Sequence, residues 1–192
     1  MNIPSVVGKV CYGHSIGSYD LQNDSMFSVL RGPNELPHNR IDDTGHFYQI
    51  VYLHFEPCDR NIQPASMFNN DYSLSDSILW MNGELASKEI EKLQFEEDTK
   101  ETWEPWLMLH HVERYGSPVE VDGSFACMYS DGTYLYAFRN QLEAIFFDKD
   151  FNFCSLPFEN SEVLPSEKMF QLDMEKKKMK VVDTFTTIRH WT

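Results

Sequence analysis

Basic residues are scarce in this chain of 192 residues: 16 Lys and Arg stand against 30 Asp and Glu, for a formal net charge of −14. Affinity for nucleic acid comes from cations that displace counterions from phosphates, so a general nucleic-acid binder is excluded. An anionic membrane surface is disfavoured for the same reason. No run approaches the roughly 18 to 20 apolar residues that span a bilayer, and no basic segment followed by an apolar one opens the sequence. A cytoplasmic protein with no membrane or nucleic-acid partner is expected. Cysteine is sparse as well: Cys11, Cys58, Cys127 and Cys154 lie 47, 69 and 27 residues apart, with no C-x-x-C pair and no His at ligand spacing. Neither a zinc site nor a disulfide framework is indicated, and no metal or cofactor is expected. Cys127 and Cys154 read as small buried hydrophobes in strand-like runs. Repeats, low-complexity tracts and linkers are missing too, which leaves one domain over residues 1–192.

What is present is apolar content of 42%, ample for a packed core. Residues 3 to 12 read as a strand, closed by Gly13, and 24 to 31 as a short capped helix stopped by Gly32-Pro33. The clearest early strand runs from 46 to 55 and ends at Pro57. The stretch from Asp59 to Asp76, rich in Asn, Ser, Pro and Asp, is a long surface connection. Ser77 to Met81 is a short apolar run that the turn signal Asn82-Gly83 halts. A helix follows from Ser87, capped by that serine. Another spans roughly 104 to 115, with Pro105 in its first turn, Trp106, Leu109 and Val112 at three-residue spacing, and Gly116 as its stop. Strand-like runs then cover 123–129, 134–139, 143–147 and 151–156, with Asp131-Gly132 as a hairpin turn between the first two. Residues 169–172 and 180–185 make a last hairpin around a charged tip at Glu175 to Lys178. Helices between two groups of strands give an α+β domain of sheets packed against helices.

The segments Leu30-Arg31-Gly32-Pro33-Asn34, Tyr52-Leu53-His54, Gln63-Pro64, Leu79-Trp80-Met81-Asn82-Gly83-Glu84-Leu85, Glu113-Arg114-Tyr115-Gly116, Asp122-Gly123-Ser124-Phe125-Ala126 and Phe138-Arg139-Asn140 occur in that order. Together they resemble the R-G-P-D, L-x-H, Q-P, N-G-E, Y-x-x-x-G, D-G-x-F-A and A-R-D motifs of the glutaminase domain of class II glutamine amidotransferases, in particular the asparagine-synthetase branch. Leu164-Pro165 and Arg189-His190-Trp191 are similar to the L-P and R-Y-W that lead out of that domain toward a synthetase domain, which is not expected here. The resemblance implies an N-terminal-nucleophile fold: a four-layer α-β-β-α sandwich of antiparallel sheets.

It also implies a chemistry against which the residues can be checked. The family's N-terminal Cys thiol attacks the glutamine amide, with its own α-amine, which titrates near neutral pH, as base. The Asn side chain and Gly N–H of N-G-E hold the oxyanion, an Arg after L-x-H holds the substrate carboxylate, and a carboxylate near the following helix receives the ammonium. Asn82, Gly83 and Glu84 are retained here. Pro4 stands where the nucleophile belongs, and the Arg position falls on Phe55 or Glu56, so an anion or a ring replaces a cation. Cys11 is an alternative nucleophile if a propeptide were removed, set against its reading as a strand residue.

The candidate site is therefore Cys11 if processed, Asn82 and Gly83 as oxyanion-type groups, and Arg31, His54, Glu56, Glu84 and Asp122 around a small amide or amino-acid ligand. Arg31 also reads as a helix-end brace, Asp122-Gly123 as a turn, Arg139-Asn140 as the hydrogen-bonded close of a strand, and His110 and His111 as partly exposed helix residues pointing to different faces. The expected function is that of a catalytically inactive glutaminase-like protein that binds a partner: a synthetase-type subunit or a host protein. The alternatives are an active glutamine amidotransferase using Cys11, and an acidic protein that occupies a basic partner surface.

Overall fold

Sheet pairing organises the chain. The structure, a computed structural model, describes residues 6–12, 35–41, 46–53, 65–66 and 77–187, apart from 156, 174 and 175. The first sheet contains β1 (Val6–Tyr12), β2 (Glu35–Ile41), β3 (His46–Leu53), β8 (Phe146–Phe147), β9 (Asn152–Cys154) and β10 (Glu162–Val163), in the order β10-β8-β9-β1-β3-β2. The second contains β4 (Ala65–Ser66), β5 (Ile78–Leu85), β6 (Gly123–Ser130), β7 (Leu135–Arg139), β11 (Lys168–Asp173) and β12 (Lys178–Thr184), in the order β12-β11-β7-β6-β5-β4. Every neighbouring pair is antiparallel. Two helices, α1 (Ser87–Glu96) and α2 (Glu104–Tyr115), lie between β5 and β6 in sequence.

The middle of the second sheet, β5, β6 and β7, is largely buried on both faces, and its strands sort their side chains by the two-residue period. Ile78 and Trp80 of β5, Ala126 and Met128 of β6, Leu135 and Ala137 of β7 and Phe170 and Leu172 of β11 pack with Phe147 and Phe153 of the first sheet. The alternate residues, Leu79, Met81, Phe125, Cys127, Phe138 and Met169, pack with Leu107, Met108, Leu109 and Val112 of α2 and Leu93 of α1. Helices, second sheet and first sheet thus form three successive layers, an α+β arrangement of antiparallel sheets. The helix expected over 24–31 lies outside the described residues. Among the described residues no helix is long and apolar enough to cross a membrane.

Several expectations are corrected. Asn82-Gly83 is no turn: β5 runs through it to Leu85, and Gly83 pairs with Phe125. Nor is Asp122-Gly123 a turn, because Gly123 opens β6 opposite Leu85. Ser87 does not cap α1; Ala86 occupies the cap without a side-chain hydrogen bond, and Ser87 is the first helical residue. The α2 boundaries agree with the sequence, and Gly116 ends the helix at φ +75°, its N–H donating to the Val112 carbonyl. The hairpin at Asp131 is present: one Asp131 oxygen accepts the N–H groups of Thr133 and Tyr134 at 2.8 and 2.7 Å.

Gly83 allows β5 and β6 to approach. Its φ is +114°, and a Cβ there would fall 1.8 Å from the Ser124 carbonyl oxygen, so backbone would have to move. Gly83→Ala is expected to cost about 3 kcal/mol or more. Gly116→Ala, at positive φ but with nothing within 4 Å, is expected to cost only about 1 kcal/mol. Urea denaturation of the two variants checks the difference.

Candidate functional site

The inter-sheet core gives way to polar groups where β5 ends and β6 begins. By strand alternation Asn82 and Ser124 lie on the face that carries Trp80 and Ala126. Asn82 is half-buried, whereas Gly83 and Glu84 are exposed. The Asn82 Nδ2 donates to Glu143 Oε2 at 3.0 Å, and the Ser124 hydroxyl donates to Glu143 Oε1 at 2.9 Å. One carboxylate therefore takes one donor on each oxygen.

Glu143 is delivered there by a tightly held loop. Asn140 is 2% exposed; its Oδ1 accepts the N–H groups of Phe125, Leu142 and Glu143 at 3.3, 3.0 and 3.3 Å, while its Nδ2 donates to the Gly123 carbonyl at 2.6 Å. Its own N–H donates to the Phe125 carbonyl at 3.0 Å. Asn140 thus extends the β6–β7 ladder by one rung, a side-chain oxygen standing in for a backbone carbonyl. Both backbone groups of Phe125 point to this side, so Gly83 and Phe125 form a non-hydrogen-bonded pair, with the Gly83 N–H directed away from β6. Arg139 secures the other side: its Nη1 donates to the carbonyls of Asn140 and Glu143 at 2.9 and 2.8 Å, and its Nε to the Leu164 carbonyl at 2.5 Å. Arg139-Asn140 closes the strand through hydrogen bonds, as its polarity suggests.

Around this centre, Asp122 is 4% exposed, and its carbonyl accepts the Ala86 N–H at 3.1 Å. The structure therefore brings Asn82, Gly83, Glu84 and Asp122 to the adjoining ends of two paired strands. Glu104, at the start of α2, accepts the Leu85 N–H at 3.2 Å. Burial raises its carboxyl pKa above the ordinary range, the Leu85 hydrogen bond opposes the shift, and the neighbouring negative charge of Glu84 adds to it. Cys11 stands within β1 opposite Phe47. Arg31, His54 and Glu56 lie outside the described residues. Sequence patterns give no hint of Glu143: it belongs to no motif, and its partner Asn82 is 61 residues away.

The two histidines of α2 differ more than the sequence suggests. His110 is half-buried, its ring centroid 3.6 Å from that of Trp106 and its Nδ1 3.6 Å from a Glu97 oxygen. His111 is 3% exposed rather than partly exposed, with Nε2 3.1 Å from the Val119 carbonyl. Among the described residues no three His, Cys, Asp or Glu side chains come together as metal ligands. Cys127 and Cys154 are buried, and burial pushes the Cys127 thiol well above its ordinary pKa, which makes it unreactive.

No family model and no curated protein sequence matches the chain. Solved structures do. A glutamine phosphoribosylpyrophosphate amidotransferase from B. subtilis, complexed with ADP and GMP, is similar over 96% of this chain and 44% of that one, at 13% identity and a TM-score of 0.55. The structure described as the allosteric regulatory enzyme of purine biosynthesis is similar over 96% of this chain and 43% of that one, at 14% identity and a TM-score of 0.54. The chain therefore spans less than half the length of these two enzymes, and at these identities what is shared is the fold.

The buried histidine carries a pH dependence. Burial lowers the His111 pKa from its ordinary 6.5, partly opposed by the Val119 carbonyl. The unfolded chain then takes up the proton first, so the stabilisation is complete above about pH 6.5 and is lost as the pH falls below it. The urea midpoint is expected to drop between about pH 7.5 and 5.5, and His111→Gln to flatten that drop.

Proposed function

We propose that this chain is a glutaminase-like domain of the asparagine-synthetase-like kind that does not hydrolyse glutamine and acts by binding. The observation that carries this reading is the position of β1. It pairs with β3 from Val6↔Tyr52 to Tyr12↔His46, and with β9 through Val7↔Cys154, Gly8↔Phe153 and Lys9↔Asn152. Processing that exposed Cys11 as an N-terminal nucleophile would remove residues 1–10 and, with them, every pairing between β1 and β9. The sheet order β10-β8-β9-β1-β3-β2 would part at its middle. A free α-amine at Cys11 and an intact first sheet exclude each other.

The substrate-binding side of the site supports the same reading. Where the family has an Arg for the substrate carboxylate, this chain has Phe55 or Glu56. At an effective dielectric near 20, two unit charges 4 Å apart interact by about 4 kcal/mol, so a carboxylate at that position turns attraction into repulsion of similar size. The retained oxyanion-type elements, Asn82 and Gly83, then serve a scaffold or a bound ligand rather than turnover. A protein partner, with a synthetase-type subunit as the first candidate, fits a chain whose charge of −14 steers it toward a basic surface.

Glutamate release from glutamine tests the proposal, with the N-terminus of the protein established by intact mass. No release above the Cys11→Ser background is expected. Release that depends on Cys11 would establish the alternative, an active amidotransferase.

A further inference from the structure

The carboxylate of Glu143 occupies the Asn82 amide in a manner that goes beyond loop packing. An ionised carboxylate only accepts hydrogen bonds, so Asn82 has to present its Nδ2–H groups and Ser124 its hydroxyl proton. That is the polarity a bound anion requires. The two donors come from adjacent strands, β5 and β6, and converge on the two oxygens at 3.0 and 2.9 Å. The main chain of Glu143 is held independently of its side chain, its N–H by Asn140 Oδ1 at 3.3 Å and its carbonyl by Arg139 Nη1 at 2.8 Å. Removal of the carboxylate thus leaves the loop anchored and both donors in place.

We propose that the Asn82–Ser124 notch is a binding site for a small carboxylate, which the chain keeps filled with its own Glu143 side chain. The inference rests on the reading of Asn82 as the oxyanion-type donor of a glutaminase-like site. A tethered group acts at an effective concentration in the millimolar range or above, so a free carboxylate enters only when Glu143 is displaced. This internal occupant also takes up one of the two Nδ2–H groups of Asn82.

Acetate is the probe. In the full-length protein, the Asn82 Nδ2–H signals are identified in a ¹⁵N–¹H spectrum by their loss in Asn82→Ala, and sodium acetate is titrated against sodium chloride at equal ionic strength. In Glu143→Ala, acetate is expected to move the Asn82 signals saturably toward their wild-type positions, at least tenfold more tightly than any effect on the wild type. Adding Ser124→Ala is expected to weaken that binding. If Glu143→Ala does not fold, Glu143→Gln keeps the shape and removes the charge; it is expected to shift the Asn82 signals and to admit acetate at concentrations at least tenfold below those that affect the wild type. Equal responses in wild type and variant, or no saturable response in either variant, would overturn the proposal. Glutamate release is a separate readout: Cys11-dependent release overturns the non-hydrolysing reading alone, and failure of acetate to bind overturns the carboxylate notch alone.

Discussion

The double pairing of β1 is the constraint on which the rest depends. One strand near the start of the sequence joins β3, its near neighbour in the chain, to β9, which is formed far later. Without it the first sheet falls into two fragments, one of which contains only two-residue and three-residue strands. Strands that short have too few ladder bonds and too little buried surface to stand alone. The apolar face of the second sheet, with Trp80 and Met128 at its centre, would lose its cover.

The second organising element is Asn140, buried at the end of β7. The three hydrogen bonds accepted by its side-chain oxygen and the two it donates fix the start of β6 against the loop that carries Glu143. Loss of a buried group with that many partners strands several backbone donors and acceptors at once, which is where large destabilisations originate. The same contacts determine where the Glu143 carboxylate lies. Fold stability at the β6–β7 junction and occupancy of the Asn82 amide are thus set by one cluster.

The parts of the fold legible in the sequence are those with a local signal. The strand over 46–53, the helix over 104–115 with Pro105 and Gly116 at its ends, and the hairpins at Asp131 and before Lys178 are written in periodicity and turn chemistry. The strands that sequence reading passes over, β2, β4 and β10, all lie at sheet edges. An edge strand is ordered by its single neighbour and needs no apolar alternation; β2 even contains Pro37, which an edge tolerates. Asn82-Gly83 misleads because the dipeptide favours a turn locally, while eight consecutive pairings with β6 hold it extended. The N-G-E and D-G-x-F-A motifs fall at the adjoining ends of β5 and β6. Glu143 stays hidden because its role exists only through contacts with residues distant in sequence.

The central claim is that β1 is part of the folded sheet and cannot be given up to expose a nucleophile. A chain that starts at Cys11, made by removing residues 1–10 in vitro or during synthesis, tests it most directly. The account predicts that this protein shows no cooperative urea transition and releases no glutamate from glutamine. A cooperatively folded product with Cys11-dependent glutamate release would contradict it.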